Sequence, residues 1–208
     1  MIEDALSRRI QYEASGIDLS DTDPDPFAQF ARWFADAATD IVEANAMVLS
    51  TVGGDEPSSR AVLLREIHEG RFVFYTNRGS RKARDIESNP KVTLLFPWFV
   101  LHRQVRIDGI ASPVPDGMSD AYFDSRPFES RAGAIASPQS EPIPSREWLE
   151  ERVAEVAASG EVARPPGWGG YGVEPTAFEF WQGRPNRLHD RIRYTRSEDG
   201  WLRERLAP

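Results

Sequence analysis

Met47-Val48-Leu49-Ser50-Thr51-Val52 is broken by Gly53-Gly54-Asp55 and followed by Ala61-Val62-Leu63-Leu64; after His68-Glu69-Gly70 comes Phe72-Val73-Phe74-Tyr75-Thr76. Short runs rich in β-branched and aromatic residues, separated by turn formers, read as strands joined by tight connections. A β-meander is therefore the nucleus of the fold. Downstream, Val92 to Phe96 and Val105 to Ile110 supply two more strands. In the tail Phe178 and Phe180 alternate, as do Ile192 and Tyr194, and Asp199-Gly200 is a hairpin signal before Trp201.

Helices are read around these strands. Asp25 caps and Pro26 opens a helix whose Phe27, Phe30, Ala31, Phe34, Ala38 and Ile41 share one apolar face. Ser80 caps a short helix that ends before Asn89-Pro90, Asp116 to Ser125 suits another, and Ser145 caps one stopped by Gly160. Pro165-Pro166-Gly167-Trp168-Gly169-Gly170 holds too many breakers for a regular element. The sum is a mainly β fold with flanking helices, a decorated barrel. Residues 1–24 are polar and acidic and are expected to form an N-terminal arm, with 25–208 as a single domain.

Composition removes several function classes. The 208 residues carry a net charge of -8, which disfavours nucleic acid as a partner. With no cysteine there is no disulfide, thiolate metal site or cysteine nucleophile. His68, His102 and His189 are scattered, so no metal site is expected. Neither a P-loop nor a G-x-S-x-G elbow is present, and the G-x-G-x-x-G of Gly167, Gly169 and Gly172 follows prolines instead of a strand. No apolar run approaches the ~18–20 residues needed to cross a bilayer, so a soluble, cytoplasmic protein without a membrane partner is expected.

In an acidic chain the informative feature is where cations gather. Arg81 and Lys82 follow Tyr75-Thr76-Asn77-Arg78-Gly79-Ser80 at a helix start, where free N–H groups favour phosphate. Tyr122, Arg126 and Ser130 are spaced by four and would share a face if one helix ran through Pro127. Arg187, His189 and Arg191 would face one way if extended, and suit an anionic, planar ligand. Taken locally, each group also reads as solvated surface.

Together these segments resemble the pyridoxamine 5'-phosphate oxidase family from about Arg9 to Pro208. In the first half the resemblance is carried by Arg60-Ala-Val-Leu-Leu64, Phe74-Tyr-Thr-Asn77, Gly79-Ser-Arg-Lys82, Leu94-Leu-Phe-Pro-Trp98 and Arg103-Gln-Val105. In the second half it is carried by Ser125-Arg-Pro127, Pro138-Gln-Ser140, Phe180-Trp-Gln-Gly183, Arg187-Leu-His-Asp-Arg191 and Arg205-Leu-Ala-Pro208.

The resemblance implies an FMN-binding split β-barrel, homodimeric, with FMN at the subunit interface. By position it makes Arg60, Arg81 and Lys82 ligands of the FMN phosphate, helped by Tyr75 and Thr76. The run Val62, Leu63, Leu64 and Arg65 also falls on the cofactor, and Gln104, Gln139, Ser140, Trp181 and Arg191 are further flavin contacts. The substrate phosphate maps to Tyr122, Arg126, Ser130 and Arg65. Arg187 and His189, the catalytic pair, face the pyridine ring, and Arg9 and Tyr12 belong to a strap over the substrate. Arg65 stands where the family usually has Lys, and Phe99 where it often has His. The implied activity is FMN-dependent oxidation of pyridoxamine or pyridoxine 5'-phosphate to pyridoxal 5'-phosphate by molecular oxygen, yielding hydrogen peroxide. The alternatives are a related oxidase of phenazine-type intermediates, kept open by Arg65, and a non-catalytic flavin or pyridoxal-phosphate binder.

Overall fold

The computed structural model describes residues 6, 12, 16–160 and 162–208; Arg9 lies outside them. In chain order the first elements are α1 (Pro26–Asp40), β1 (Ala46–Gly53), β2 (Glu56–Leu63), β3 (Glu66–His68), β4 (Arg71–Asn77), α2 (Arg81–Ser88) and β5 (Lys91–Trp98). A 3-10 turn (Phe99–Leu101) leads to β6 (Arg103–Pro113), α3 (Asp116–Ser125), α4 (Phe128–Ala136) and α5 (Arg146–Ser159). Then come β7 (Trp168–Gln182), a second 3-10 turn (Pro185–Arg187), β8 (Asp190–Ser197) and β9 (Gly200–Leu206). The strands hydrogen-bond in the order β2-β1-β5-β6-β7-β4-β3, with β8 on β7 and β9 on β8. Contacts divide the chain into a central unit, 48–93 with 109–175, and a terminal unit, 1–47 with 94–108 and 176–208.

In the terminal unit, α1 starts as its sequence dictates: the Asp25 carboxylate accepts from the Phe27 N–H at 3.1 Å, and Pro26 takes the first helical position. Its buried face is Pro26, Gln29, Phe30, Trp33 and Ala37, while Ala31 and Ala38 are exposed. The expected face is therefore rotated. Trp33 decides it, because its large ring packs edge-on against Phe180 at 5.3 Å while Phe30 packs on Phe96 at 5.0 Å. Phe178 and Phe180 are buried as their alternation predicts. The β8–β9 hairpin pairs Ser197 with Gly200, so Glu198 and Asp199 form the loop, one residue before the expected pair, and Gly200 takes φ +123°.

In the central unit, Phe72, Phe74, Leu49, Ile86, Phe123 and Val173 are buried at its core. The breaker-rich segment is corrected here: Trp168-Gly169-Gly170 is not a loop but the start of β7, paired in register with Asn77, Thr76 and Tyr75 of β4. The glycines admit close neighbours. A Cβ on Gly169 would come within 2.6 Å of the Arg78 guanidinium, and one on Gly170 within 2.7 Å of the Tyr75 ring. Helix α2 follows Ser80 and α5 ends at Gly160 in the left-handed region, as read from sequence. Among the described residues no helix is long and apolar enough to cross a membrane.

Candidate active site

A cavity of about 450 Å³ opens in the central unit, within the usual range for small-molecule sites. Ala61, Val62, Leu63 and Arg65 reach it from β2 and its exit, Tyr75, Thr76 and Asn77 from β4, and Lys82 from α2. Tyr122, Arg126 and Ser130 meet there although no single helix carries them: α3 ends at Ser125, Arg126 is extended, and α4 begins at Phe128. The turn at Pro127 replaces the continuous face expected from spacing, and the three still converge. Gln139 and Trp168 complete much of the wall.

Among the described residues the lining contains three cations and no carboxylate. Lys82 is 8% exposed, and among the described residues its ammonium donates to neutral oxygens: Thr76 Oγ1 at 3.2 Å, Ser80 Oγ at 3.3 Å and Gln139 Oε1 at 3.0 Å. Burial, and then the charge of Arg60, pushes it down to about 8. Burial also lowers the pKa of Arg126, whose Nη1 is buried without a hydrogen-bond partner among the described residues. A buried guanidinium nitrogen left unpaired is costly, and an entering anion would satisfy it.

One wall is aromatic. Tyr75 stacks on Tyr122 at 4.1 Å and 10°, and Trp168 lies parallel to both within 5°. Arg65 lies over Tyr122 at 5.6 Å and Arg126 over Trp168 at 5.2 Å. The Tyr75 hydroxyl donates to Glu66 Oε1 at 2.9 Å; burial first, then that carboxylate, raise its pKa. Parallel rings bordered by cations suit a flat ligand that ends in an anion.

The other expected phosphate ligands are placed differently. Arg60 does not line the cavity: Nη1 donates to Leu49 O and Thr51 Oγ1, Nη2 to Ser58 Oγ, and buried Asp85 lies 3.6 Å away. Arg81 is exposed and pairs with Glu56 at 3.0 Å. Ser140 is exposed with φ +77°, and Leu64 is buried, outside the lining. Sequence reasoning missed Trp168, hidden among breakers, and the carboxylates of Asp85 and Glu66; no motif marked them.

Gln104, Tyr12, Trp181, Arg187, His189 and Arg191 belong to the terminal unit. Tyr12, Trp181 and His189 form a ring cluster with His102, Tyr12 lying 4.5 Å from His102 and Trp181 4.7 Å from His189. Arg187 is not extended: it closes a 3-10 turn in which Asn186 and Arg187 both take positive φ, 57° and 61°. The expected single face of Arg187, His189 and Arg191 is thus replaced by a turn, with the strand beginning at Asp190. Across that turn the Arg184 N–H donates to His189 Nδ1 at 3.1 Å. A neutral imidazole held this way carries its proton on Nε2. Burial, then Arg187, lowers its pKa.

Fold and cavity together define a split-barrel protein whose central unit is equipped for a flat ligand bearing an anionic group. The pyridoxamine 5'-phosphate oxidase model matches residues 34–160, and the pyridoxine 5'-phosphate oxidase C-terminal dimerisation region matches 168–208. The chain belongs to the pyridoxamine 5'-phosphate oxidase family. It is 52% identical to the pyridoxine/pyridoxamine 5'-phosphate oxidase of Rubrobacter xylanophilus over 99% of this chain and 97% of that one. To the protein of the same name from Nocardioides it is 51% identical, over 99% and 98%. Among solved structures, PhzG from Burkholderia lata, in complex with tetrahydrophenazine-1-carboxylic acid, superposes with TM-score 0.88 at 31% identity, covering 95% of this chain and 100% of that one.

Proposed function

We propose that the chain oxidises pyridoxamine 5'-phosphate and pyridoxine 5'-phosphate to pyridoxal 5'-phosphate, as a homodimer that uses FMN and molecular oxygen. The observation that carries this reading is the cavity with three cations, no carboxylate and a parallel aromatic wall. The family and the names of relatives about half identical over nearly the whole chain support the same substrate class.

The residues fit a phosphorylated cofactor and substrate. A buried ammonium surrounded by neutral oxygens and an unpaired Arg126 Nη1 both await anions. In this reading Lys82 would hold the FMN phosphate with Thr76 and Tyr75, and Gln139 would contact the flavin. Arg60 and Arg81, which face Asp85 and Glu56 in this structure, would join only by exchanging those carboxylates for the phosphate. Gln104, Ser140, Trp181 and Arg191 are flavin contacts on the resemblance alone. Bound FMN supplies the acceptor for two electrons, which oxygen removes as hydrogen peroxide.

Arg126, Arg65, Tyr122 and Ser130 anchor the substrate phosphate. That remote contact holds the reacting carbon in place, a proximity effect worth several kcal/mol, on the order of 7–11 at best. The 4' carbon gives up a hydride, and its amine or hydroxyl loses a proton. With the amine, water then hydrolyses the imine to aldehyde and ammonia. On the resemblance, Arg187 would lie against the pyridine ring and His189 would hydrogen-bond the substrate. Anaerobic addition of pyridoxamine 5'-phosphate to the yellow holoenzyme should bleach the flavin, and admitted air should restore it with release of aldehyde. A flavin that stays oxidised would reject the reading.

A second reading, oxidation of a reduced phenazine-type intermediate, is favoured by the likeness to PhzG. Loss of turnover on pyridoxamine 5'-phosphate with turnover of a reduced aromatic carboxylate would select it.

A further inference from the structure

We propose that Glu179 is a positioning residue that aims Arg191 at the flavin and tempers its charge; this rests on the functional reading above. Glu179 sits in β7 and is 4% exposed, an unusual place for a carboxylate. It is bracketed by two guanidiniums of the same terminal unit. Arg191 Nε donates to Oε1 at 2.8 Å, and Arg106 Nη2 lies 3.2 Å from Oε2. A second constraint comes from the tail, where Arg191 Nη1 donates to the Ala207 carbonyl at 2.9 Å.

A guanidinium is planar and rigid, so fixing two of its nitrogens fixes the third. With Nε on Glu179 and Nη1 on Ala207, Nη2 becomes the donor left to point. Register places Arg191 directly opposite Trp181, and Glu179 shares Trp181's side of β7, two residues away. Glu179 thus stands behind two side chains that the resemblance assigns to flavin contact. It raises the pKa of Arg191 through the hydrogen bond. One carboxylate between two cations leaves a net positive charge, damped but not cancelled.

The test uses FMN and the full-length protein. Glu179→Gln keeps the volume and removes the charge. We expect FMN affinity, read by quenching of flavin fluorescence, to fall about tenfold, the scale of a charge-assisted hydrogen bond. The bound flavin's absorption bands should shift and its reduction potential rise, since a nearby negative charge is gone. A role confined to folding would lower the melting temperature and leave the spectrum and potential of bound flavin as in wild type; that result overturns the proposal. A double-mutant cycle closes the argument: on an Arg191→Met background, Glu179→Gln should change FMN affinity no further. Additive losses would also overturn it. Wild-type protein that takes up no FMN would instead defeat the functional reading, and this proposal with it.

Discussion

Burial lowers Lys82 to about 8, so its charge is lost within a range where binding is readily measured. Phosphate is held best by the protonated form, so FMN affinity should fall as pH rises above about 8. Lys82→Met should bind FMN weakly at every pH and lose that break; a break persisting in the variant would assign it to another group. Stability runs the other way. The folded pKa lies below the usual 10.5, so the folded apoprotein holds fewer protons than the unfolded chain between about 8 and 10.5, and Lys82's contribution to stability rises with pH there. Arg126→Met should raise KM for pyridoxamine 5'-phosphate by ten- to a hundredfold, roughly 1.5–3 kcal/mol for a hydrogen bond to a charged group, with kcat little changed. A loss confined to kcat would contradict an anchoring role. Every cation of the site was legible in the sequence. Their counter-charges were not: Asp85 beside Arg60 and Glu56 beside Arg81 are 25 residues distant along the chain, and no local pattern pairs them.

At the scale of elements, the close packing of β4 on β7 depends on glycines that sequence reading took for loop. Gly170→Ala would drive a methyl group to 2.7 Å from Tyr75 and from Val114. Overpacking of this kind costs about 1–3 kcal/mol and should appear as a lower melting temperature. Because Tyr75 belongs to the aromatic wall, substrate KM should rise as well. Gly117→Ala, in α3 with nothing within 4 Å, should be neutral or stabilising by up to about 1 kcal/mol. Equal losses in both variants would show that strand spacing is not what Gly170 protects. Helix starts and stops at Asp25, Ser145 and Gly160 were readable because capping is local chemistry; the start after Ser80 was read correctly, but the Ser80 side chain makes no capping hydrogen bond. Which face α1 buries was not readable, since Trp33 finds Phe180 across nearly 150 residues of chain.

For the whole molecule, the match of 168–208 to a dimerisation region leads us to expect twice the chain mass in sedimentation equilibrium. If FMN binds at the subunit interface, its apparent affinity should weaken on dilution, since dissociation and cofactor loss are linked. A monomer with concentration-independent FMN uptake would contradict that. By itself the sequence determined most of the strands and helices, the acidic balance and the cations, because propensity, capping and composition act over a few residues; the family followed from the order and spacing of its motifs along the chain. Only the tertiary structure decided that Arg65, Lys82 and Arg126 share one carboxylate-free cavity while Arg60 and Arg81 face carboxylates. Electrostatic partnership depends on distance in space, which the packing of remote segments sets.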